Sequence, residues 1–193
     1  MSSWSPAWGE IEYKWETFQN GFSQESIYRG EPTEELEFAW DALLQRNPIA
    51  IPRDKVANFQ RGERDFVAGQ GAHQDSVLAY LDVFRNLACL NLLRQHTYRE
   101  ERDYSYLEAF LGSEEAIMMR VDGCVQRLRE VLMCSGDATP YLIMVTPHKK
   151  LKEAPDFNTL HYCRNFDRIL AWTKRNGVDF DAVLPSLHAL TPE

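Results

Sequence analysis

Three segments of the chain repeat apolar residues at the spacing of a helix. From about Val77 to Gln95 apolar side chains occupy nearly every side, which predicts a helix buried in the middle of the molecule. From about Ala116 to Cys134 they form one stripe, which predicts an amphipathic helix packed on the core. A third predicted helix runs from about Thr159 to Lys174, with Asn158 as its N-cap and Asn176-Gly177 as its C-terminal stop.

The N-terminal part of the chain, over about the first 60 residues, is rich in aromatic residues, glycine and proline, which is typical of an arm wrapped around a core. We predict one short helix in this arm, from Leu36 to Leu44, and a short strand later, from Tyr141 to Val145. The expected fold is one mainly α domain over residues 1–193, with an arm at 1–60, a helical core at 77–174 and a few short strands. Certain aromatic side chains of the arm are expected to cover the core rather than to form a substrate platform, namely Trp4, Trp8, Tyr13, Trp15, Phe18 and Phe22.

Charge and hydropathy exclude two kinds of interaction. The formal net charge is −8, and no run of lysine or arginine is dense enough to follow a phosphate backbone, so nucleic acid is not expected as a partner. The longest apolar runs fall far short of the ~20 residues that span a bilayer. The N-terminus lacks the basic and apolar regions of a signal peptide, so we expect either a natively soluble, cytoplasmic chain or one from which an N-terminal membrane anchor has been removed.

One pattern, R-x-x-small-C-x-x-x-L-R, occurs in both central predicted helices, 35 residues apart. Its Arg, small residue and Cys are Arg85, Ala88 and Cys89 in the first copy and Arg120, Gly123 and Cys124 in the second. At 3.6 residues per turn these three positions face one way, so the two helices could face each other across a site. The alternative is that two helices of one bundle share leucine and arginine by chance.

A family resemblance follows from three blocks of the chain and from the order of several residues ahead of them. The blocks are Leu81–Gln95, Arg120–Pro140 and Pro155–Trp172, preceded by Gly21-Phe22, Tyr28, Gly30, Pro32, Trp40-Asp41 and Ile51-Pro52. From about Glu10 to Trp172 the chain resembles the UstYa family of fungal natural-product proteins. Members of that family act on peptides and other secondary metabolites, many of them as oxidative cyclases, hydroxylases or related tailoring enzymes.

The resemblance implies a metal or redox site that this sequence does not retain. The family carries the motif HxxHC twice, and its four imidazoles on two facing helices suit copper or iron. Here Arg85 and Ala88 stand at the first pair of histidine positions, and Arg120 and Gly123 stand at the second. Arginine stays protonated and does not normally bind metals, while alanine and glycine offer no ligand atom. We therefore expect no metal and no other cofactor.

The substitutions suggest a different chemistry for the same place. Small residues leave room between the helices, and a guanidinium beside that room offers fixed hydrogen-bond donors. We predict a pocket in which two arginines polarise a carbonyl of a polyketide, terpenoid or peptide intermediate and so promote a cycloaddition, conjugate addition or isomerisation without a metal. Its predicted catalytic residues are Arg85 and Arg120, and its predicted lining is Ala88, Leu92, Asp122 and Gly123, of which Asp122 is also a candidate for simple solvation.

His161 belongs to the C-terminal block and is the third predicted catalytic residue, as an acid or base, with a structural hydrogen bond as the alternative. The function also has alternatives: an oxidase that uses other ligands, or a non-catalytic partner of an active family member, with homo-oligomers also open. In the non-catalytic case Arg85 would form an ordinary ion pair with Asp82. Arg94 and Arg129 are expected to lie on a different flank and to tolerate substitution.

The four cysteines leave two states open on sequence alone, two disulfides or four thiols. Relatives typically work in the secretory pathway, where oxidising conditions preserve disulfides. The resemblance therefore implies disulfides between Cys89 and Cys124 and between Cys134 and Cys163, together with a location in the secretory pathway or the lumen of the endoplasmic reticulum.

Overall fold

Helices make up the largest share of regular structure in the computed structural model, which describes residues 4–44, 47–59, 66–69, 71–146 and 153–178. The α-helices are α1 (Glu34–Ala42), α2 (Asp82–Thr97), α3 (Glu114–Ser135) and α4 (Phe166–Asn176). The strands are β1 (Tyr13–Thr17), β2 (Ile49–Pro52), β3 (Ser76–Ala79), β4 (Leu142–Val145), β5 (Glu153–Asp156) and β6 (Leu160–Arg164). They pair antiparallel as three two-stranded sheets, β1–β6, β2–β3 and β4–β5. This composition agrees with the predicted mainly α class.

Side-chain caps explain where two of the helices begin. The Thr33 hydroxyl accepts the Leu36 N–H at 3.3 Å at the start of α1, and three glutamates in the first turn suit the positive end of the helix dipole. Ser113 caps α3 in the same way. α3 ends at Gly136, whose left-handed conformation (φ 51°) lets its N–H donate to the Leu132 carbonyl at 3.0 Å.

Two of the predicted helices begin later than the apolar pattern indicated. Residues 76–79 form β3 rather than the first turn of α2, which begins at Asp82. Residues 160–164 form β6, so the predicted helix from Thr159 is wrong at its start, although it ends at Asn176 as expected. Asn158 is not an N-cap, because its side-chain oxygen accepts the backbone N–H groups of Asn20 and Gly21. The predicted helix in the arm and the predicted strand before Val145 are confirmed.

Two clusters of buried apolar residues form the core. The larger one lies between α2, α3 and the segment joining them, and contains Cys89, Leu92, Tyr104, Phe110, Ile117 and Cys124. The smaller one joins β2 to β3 and contains Ile49, Ile51 and Val77. Trp4 packs against the smaller cluster as predicted. The prediction that the arm covers the core is wrong for four of its aromatic residues, which remain exposed: Trp8, Tyr13, Trp15 and Phe22. Tyr13 and Trp15 belong to β1, whose side chains are mostly exposed.

Candidate functional site

The disulfide between Cys89 and Cys124 joins the two central helices, which confirms the first predicted pairing. The two Cα atoms lie 5.0 Å apart, and both side chains are almost fully buried in the larger core cluster. The second predicted pairing is wrong. Cys134 is exposed near the end of α3, whereas Cys163 lies half-buried on a strand, not on the packed helix that the prediction assumed.

This disulfide is consistent with a secreted or lumenal protein. Within the described parts of the chain, the helices are all too short or too polar to cross a bilayer.

The contacts around the disulfide show that α2 and α3 run antiparallel. Beyond Cys124, Arg127 donates to Asn86 at 2.9 Å and also bonds Asp82, both of which precede Cys89. Each motif arginine lies four residues before its cysteine, a displacement of about 6 Å in opposite directions along the two axes. Arg85 and Arg120 are thus separated by about 12 Å along the seam. The expectation that both guanidiniums point to one place is wrong.

The first motif arginine does not lie in the pocket predicted between the two helices. Arg85 is exposed, and it makes no hydrogen bond or ion pair with another described residue. Asp82, its expected partner in the non-catalytic alternative, bonds Arg127 instead. Because the helix is apolar on several sides, its periodicity alone does not show which side meets α3.

The second motif arginine holds the backbone that leads into its own helix. The half-buried Arg120 guanidinium donates to the Leu111 carbonyl at 2.6 Å and to the Ala109 carbonyl at 3.3 Å. These bonds connect α3 to the 3-10 turn Glu108–Phe110. The Arg120 guanidinium therefore binds two backbone carbonyls of its own chain, where the sequence predicted a carbonyl oxygen of the substrate.

The predicted lining residues do not form one concave surface. Leu92 is only 2% exposed within the core, whereas Asp122 and Gly123 are exposed and Ala88 is half-buried. A Cβ atom built on Gly123 would meet nothing within 4 Å, so this side of the seam opens to solvent. The residues at the four histidine positions of the motifs do not fit a copper or iron centre, and the described residues contain no cluster of three His, Cys, Asp or Glu side chains that could hold a metal ion.

A hydrogen-bonded relay surrounds His161 on β6. The ring Nδ1 lies 3.0 Å from Asp137 Oδ2, and Nε2 lies 2.7 Å from Thr159 Oγ1. Phe18 stacks on the ring with centroids 3.8 Å apart, and the His161 side chain is only 12% exposed. An ionised carboxylate only accepts hydrogen bonds, so Nδ1 carries the proton and Nε2 accepts from the Thr159 hydroxyl when the ring is neutral.

Local structure explains why these side chains meet. Gly136 ends α3, and the next residue, Asp137, accepts the Thr139 backbone N–H at 2.9 Å. This bond, assisted by His161, holds the pKa of the Asp137 carboxyl below its ordinary value, so the group is ionised at neutral pH. Strand alternation places Thr159 and His161 on the same side, and the Phe18 N–H donates to the Thr159 carbonyl to extend the β1–β6 ladder.

Cys163 follows His161 on the same face of β6. Burial, together with the carboxylates of Glu16 and Asp137, raises the pKa of its thiol. The thiolate that would act as a nucleophile is therefore disfavoured, and the hydroxyl of Thr159 is the nucleophilic group that contacts the imidazole. Sequence analysis identified His161 but missed Thr159 and Phe18, and it gave Asp137 no role beyond its place in the second block.

A second polar cluster, which the sequence did not indicate, lies between α1 and α2. Arg94 donates to both carboxylate oxygens of Glu37, at 2.8 and 2.7 Å, and Tyr104 donates to the same carboxylate at 2.6 Å. The Arg94 side chain is 9% exposed, and its guanidinium lies 5.6 Å from the centroid of the Trp40 ring. This burial argues against the prediction that Arg94 tolerates substitution. Arg129, its counterpart on α3, is exposed.

The chain is similar to fungal proteins of one family over most of its length. The profile of the family described as "Mycotoxin biosynthesis protein UstYa" matches residues 1–176. The chain is 37% identical over 174 residues to the UstYa family oxidase phomYc of Diaporthe leptostromiformis. The matched region covers 90% of this chain and 68% of that protein. It is 31% identical over 185 residues to the transacylase cctO of Talaromyces islandicus, covering 93% and 62%.

The UstYa family oxidase aprY of Aspergillus flavus is 25% identical over 194 residues, covering 93% of this chain and 57% of the relative. The chain thus spans about two thirds or less of the length of these relatives. No solved structure matches it.

Proposed function

Because the chain belongs to the UstYa family of mycotoxin biosynthesis proteins, we propose that it is a tailoring enzyme that carries out a non-oxidative proton transfer at His161. The observation that supports this proposal is the relay Asp137–His161–Thr159, in which a carboxylate fixes the tautomer of a nearly buried imidazole. The proposed substrate is a polyketide, terpenoid or peptide intermediate with an acidic C–H next to a carbonyl. The proposed outcome is an isomerisation or a ring closure by conjugate addition.

The relay can act in both directions of a proton transfer. Nε2 of neutral His161 accepts a proton from the carbon next to the substrate carbonyl once the Thr159 hydroxyl turns away from it. The resulting imidazolium is stabilised by the ionised Asp137 at Nδ1. The imidazolium then returns the proton to a different carbon, and the electron pair of the broken C–H bond forms the new double bond or the new ring bond. No oxidant is consumed.

The two motif arginines have separate roles in this proposal. Arg120 holds the backbone before α3 and contributes to folding. Arg85 remains a candidate for binding an anionic group of the substrate, because its exposed guanidinium makes no polar contact with another described residue.

A second candidate function is acyl transfer, which one observation favours. Thr159, His161 and Asp137 follow the order nucleophile, base and carboxylate, and a 31% identical relative is named a transacylase. In this mechanism Thr159 Oγ1 attacks an ester or thioester carbonyl, and its proton passes to His161 Nε2. The leaving alcohol or thiol takes that proton, and an amine or hydroxyl then attacks the acyl-threonine ester in the reverse sense.

Oxidation is the alternative that the names of other relatives suggest. It would require ligands other than the residues at positions 85, 88, 120 and 123. A non-catalytic partner of an active family member is the remaining alternative, and it would leave no trace of turnover in the purified protein.

Mass spectrometry of the metabolites separates these candidates. We would delete the gene in its producing fungus, identify the intermediate that accumulates, and incubate it with the purified protein. A product of unchanged mass supports proton transfer or intramolecular acyl transfer. A product lighter by two hydrogen atoms or heavier by one oxygen atom identifies an oxidase and refutes the proposal. A product heavier by an acyl group identifies intermolecular acyl transfer, and no conversion at all, with an acyl donor present, indicates the non-catalytic partner.

Two variants then assign the chemistry. His161→Gln should reduce the rate by about 10² to 10⁴ in either non-oxidative mechanism, because it removes the acid–base group. Thr159→Val should abolish acyl transfer but leave proton transfer within about tenfold of the wild-type rate. His73→Gln is the matched control, since His73 is also half-buried but lies in the 3-10 turn Gly71–His73 rather than on β6. A His161→Gln enzyme with full activity would exclude the relay.

A further inference from the structure

The strand β4 is apolar and exposed along its whole length. Its four side chains and that of Tyr141 remain 43–78% exposed. In the part of the chain that the structure describes, β4 pairs only with β5, so one edge of each strand has no partner strand. A lone two-stranded hairpin is marginally stable in water, and an apolar one invites further pairing.

The register shows which backbone groups of β4 face the open edge. Ile143 lies opposite Pro155, and Val145 lies opposite Glu153. Proline has no N–H, so we assign Ile143 and Pro155 to a pair without ladder hydrogen bonds. By the alternation of an antiparallel ladder, the N–H and C=O groups of Ile143 and Val145 then point away from β5, toward the open edge.

The two edges of this hairpin differ in the features that discourage further pairing. β5 contains Pro155, begins with Glu153 and ends with Asp156. The proline and the two carboxylates discourage another strand from adding to it. The segment from Tyr141 to Val145 contains no proline, no glycine and no charged residue. Only the edge of β4 is therefore suited to accept a strand.

We propose that β4 pairs antiparallel with β4 of a second copy of this chain, which forms a four-stranded sheet across a two-fold axis. With the axis at Met144, Ile143 of one copy meets Val145 of the other, and each pair exchanges two backbone hydrogen bonds. The strand is uncharged, so it brings together two chains of net charge −8 without opposing like charges at the contact itself.

The size of the surface predicts a weak dimer. The exposed apolar area of the five side chains is on the order of 500 Å² per copy, so pairing through one strand edge buries at most about 1,000 Å² in total, which is the lower limit for a specific interface. We therefore expect a dissociation constant of roughly micromolar size or weaker, and association that depends visibly on concentration.

Sedimentation velocity over about a hundredfold range of concentration tests the proposal. Wild-type protein should shift from monomer toward dimer as its concentration rises. Val145→Lys, which places a charged side chain opposite the apolar Ile143 of the other copy, and Ile143→Pro, which removes an outward N–H, should each weaken association by at least about tenfold. Phe38→Lys is the matched control, because Phe38 is 76% exposed on α1 and should leave association unchanged.

Circular dichroism and thermal melts of each variant show whether it remains folded, since a change on an exposed hairpin should leave the core intact. Wild-type protein that stays monomeric at every concentration overturns the proposal. A dimer that survives both β4 substitutions, or that Phe38→Lys weakens equally, also overturns it.

Discussion

Replacing Arg94 should destabilise the protein far more than replacing its counterpart in the second motif, Arg129. The Arg94 side chain is 9% exposed, and its guanidinium forms two charge-assisted hydrogen bonds with Glu37, whose side chain is 17% exposed. Arg94→Met removes this partner and leaves a largely buried carboxylate with a hydroxyl and an amide as its remaining donors. The two arginines occupy equivalent positions in the repeated motif, so a difference in stability between Arg94→Met and Arg129→Met measures the contacts that the fold gives to Arg94.

Removing one partner of a buried ion pair costs about 3 to 5 kcal/mol, and the partial exposure of Glu37 favours the lower figure. In a chain of this size, 1 kcal/mol corresponds to about 2–4 °C in melting temperature, so Arg94→Met should melt about 6 to 12 °C below wild type. Arg129 is half exposed and pairs with its neighbour Glu130 at 3.5 Å. Arg129→Met should therefore stay within about 0.5 kcal/mol of wild type.

The ion pair also predicts how stability depends on pH. Burial raises the pKa of the Glu37 carboxyl, but the hydrogen bonds and charge of its partners outweigh burial and bring the pKa below the ordinary 4.5. Because the pKa is lower in the folded state, the stabilisation is complete above pH 4.5 and is lost as the pH falls through the folded value. Burial and Glu37 raise the pKa of Tyr104 from 10.0 to about 12, so the neutral hydroxyl stabilises the fold below pH 10 and this contribution disappears between pH 10 and 12.

Thermal melts and urea unfolding measure the contribution of the Arg94–Glu37 ion pair to stability. Four proteins are compared: wild type, Arg94→Met, Arg129→Met and the double variant Arg94→Met with Glu37→Gln. The double variant removes both charges while leaving an acceptor for Tyr104, so it should recover about 1–2 kcal/mol relative to Arg94→Met. If Arg94→Met and Arg129→Met melt within about one degree of each other, the buried ion pair does not exist as described.

The cysteines and the motif arginines give further predictions of stability and of thiol reactivity. Reducing the disulfide between α2 and α3 should destabilise the protein by about 3 to 4 kcal/mol, which unfolding with and without reductant would measure. Iodoacetamide should label Cys134 faster than Cys163, because Cys134 is exposed and burial raises the pKa of the other thiol; equal rates followed by mass spectrometry would contradict this. Arg120→Met should cost about 1–3 kcal/mol by leaving two carbonyls without their donor, whereas Arg85→Met should leave the melting temperature nearly unchanged.

Local sequence signals predicted the elements that are stabilised mainly by contacts close in sequence or by covalent linkage. The apolar stripe predicted α3 and its end near Cys134, and the family resemblance implied the disulfide that links it to α2. The periodicity does not show whether α2 and α3 run parallel or antiparallel, because an apolar stripe identifies only the side of a helix that is buried. This is why Arg85 and Arg120 were assigned to one place.

Errors elsewhere came from partners that are distant in sequence. Leu160 and Cys163 are spaced as on a helix face, yet this segment pairs with β1, about 150 residues earlier, and becomes a strand. The local pattern predicts that Arg94 tolerates substitution, because its ion-pair partner, Glu37, lies 57 residues away on α1. The carboxylate of the relay was missed for the same reason, since Asp137 meets His161 only after the chain folds back between α3 and β6. Thr159 lies only two residues before His161, but the helix predicted from Thr159 does not place the two side chains on one face as the strand does.

The open space beside Gly123 has a consequence for how this chain could change over generations. A glycine inside a helix lowers helix stability by about 1 kcal/mol relative to alanine, and here no neighbouring atom would resist a larger residue. The covalent link one residue later joins the helices whatever side chain occupies that position. Substitutions at this point of the seam, histidine included, can thus accumulate one at a time without an unfolded intermediate. A sequence with a metal site and a sequence without one can then be mutational neighbours on a single scaffold.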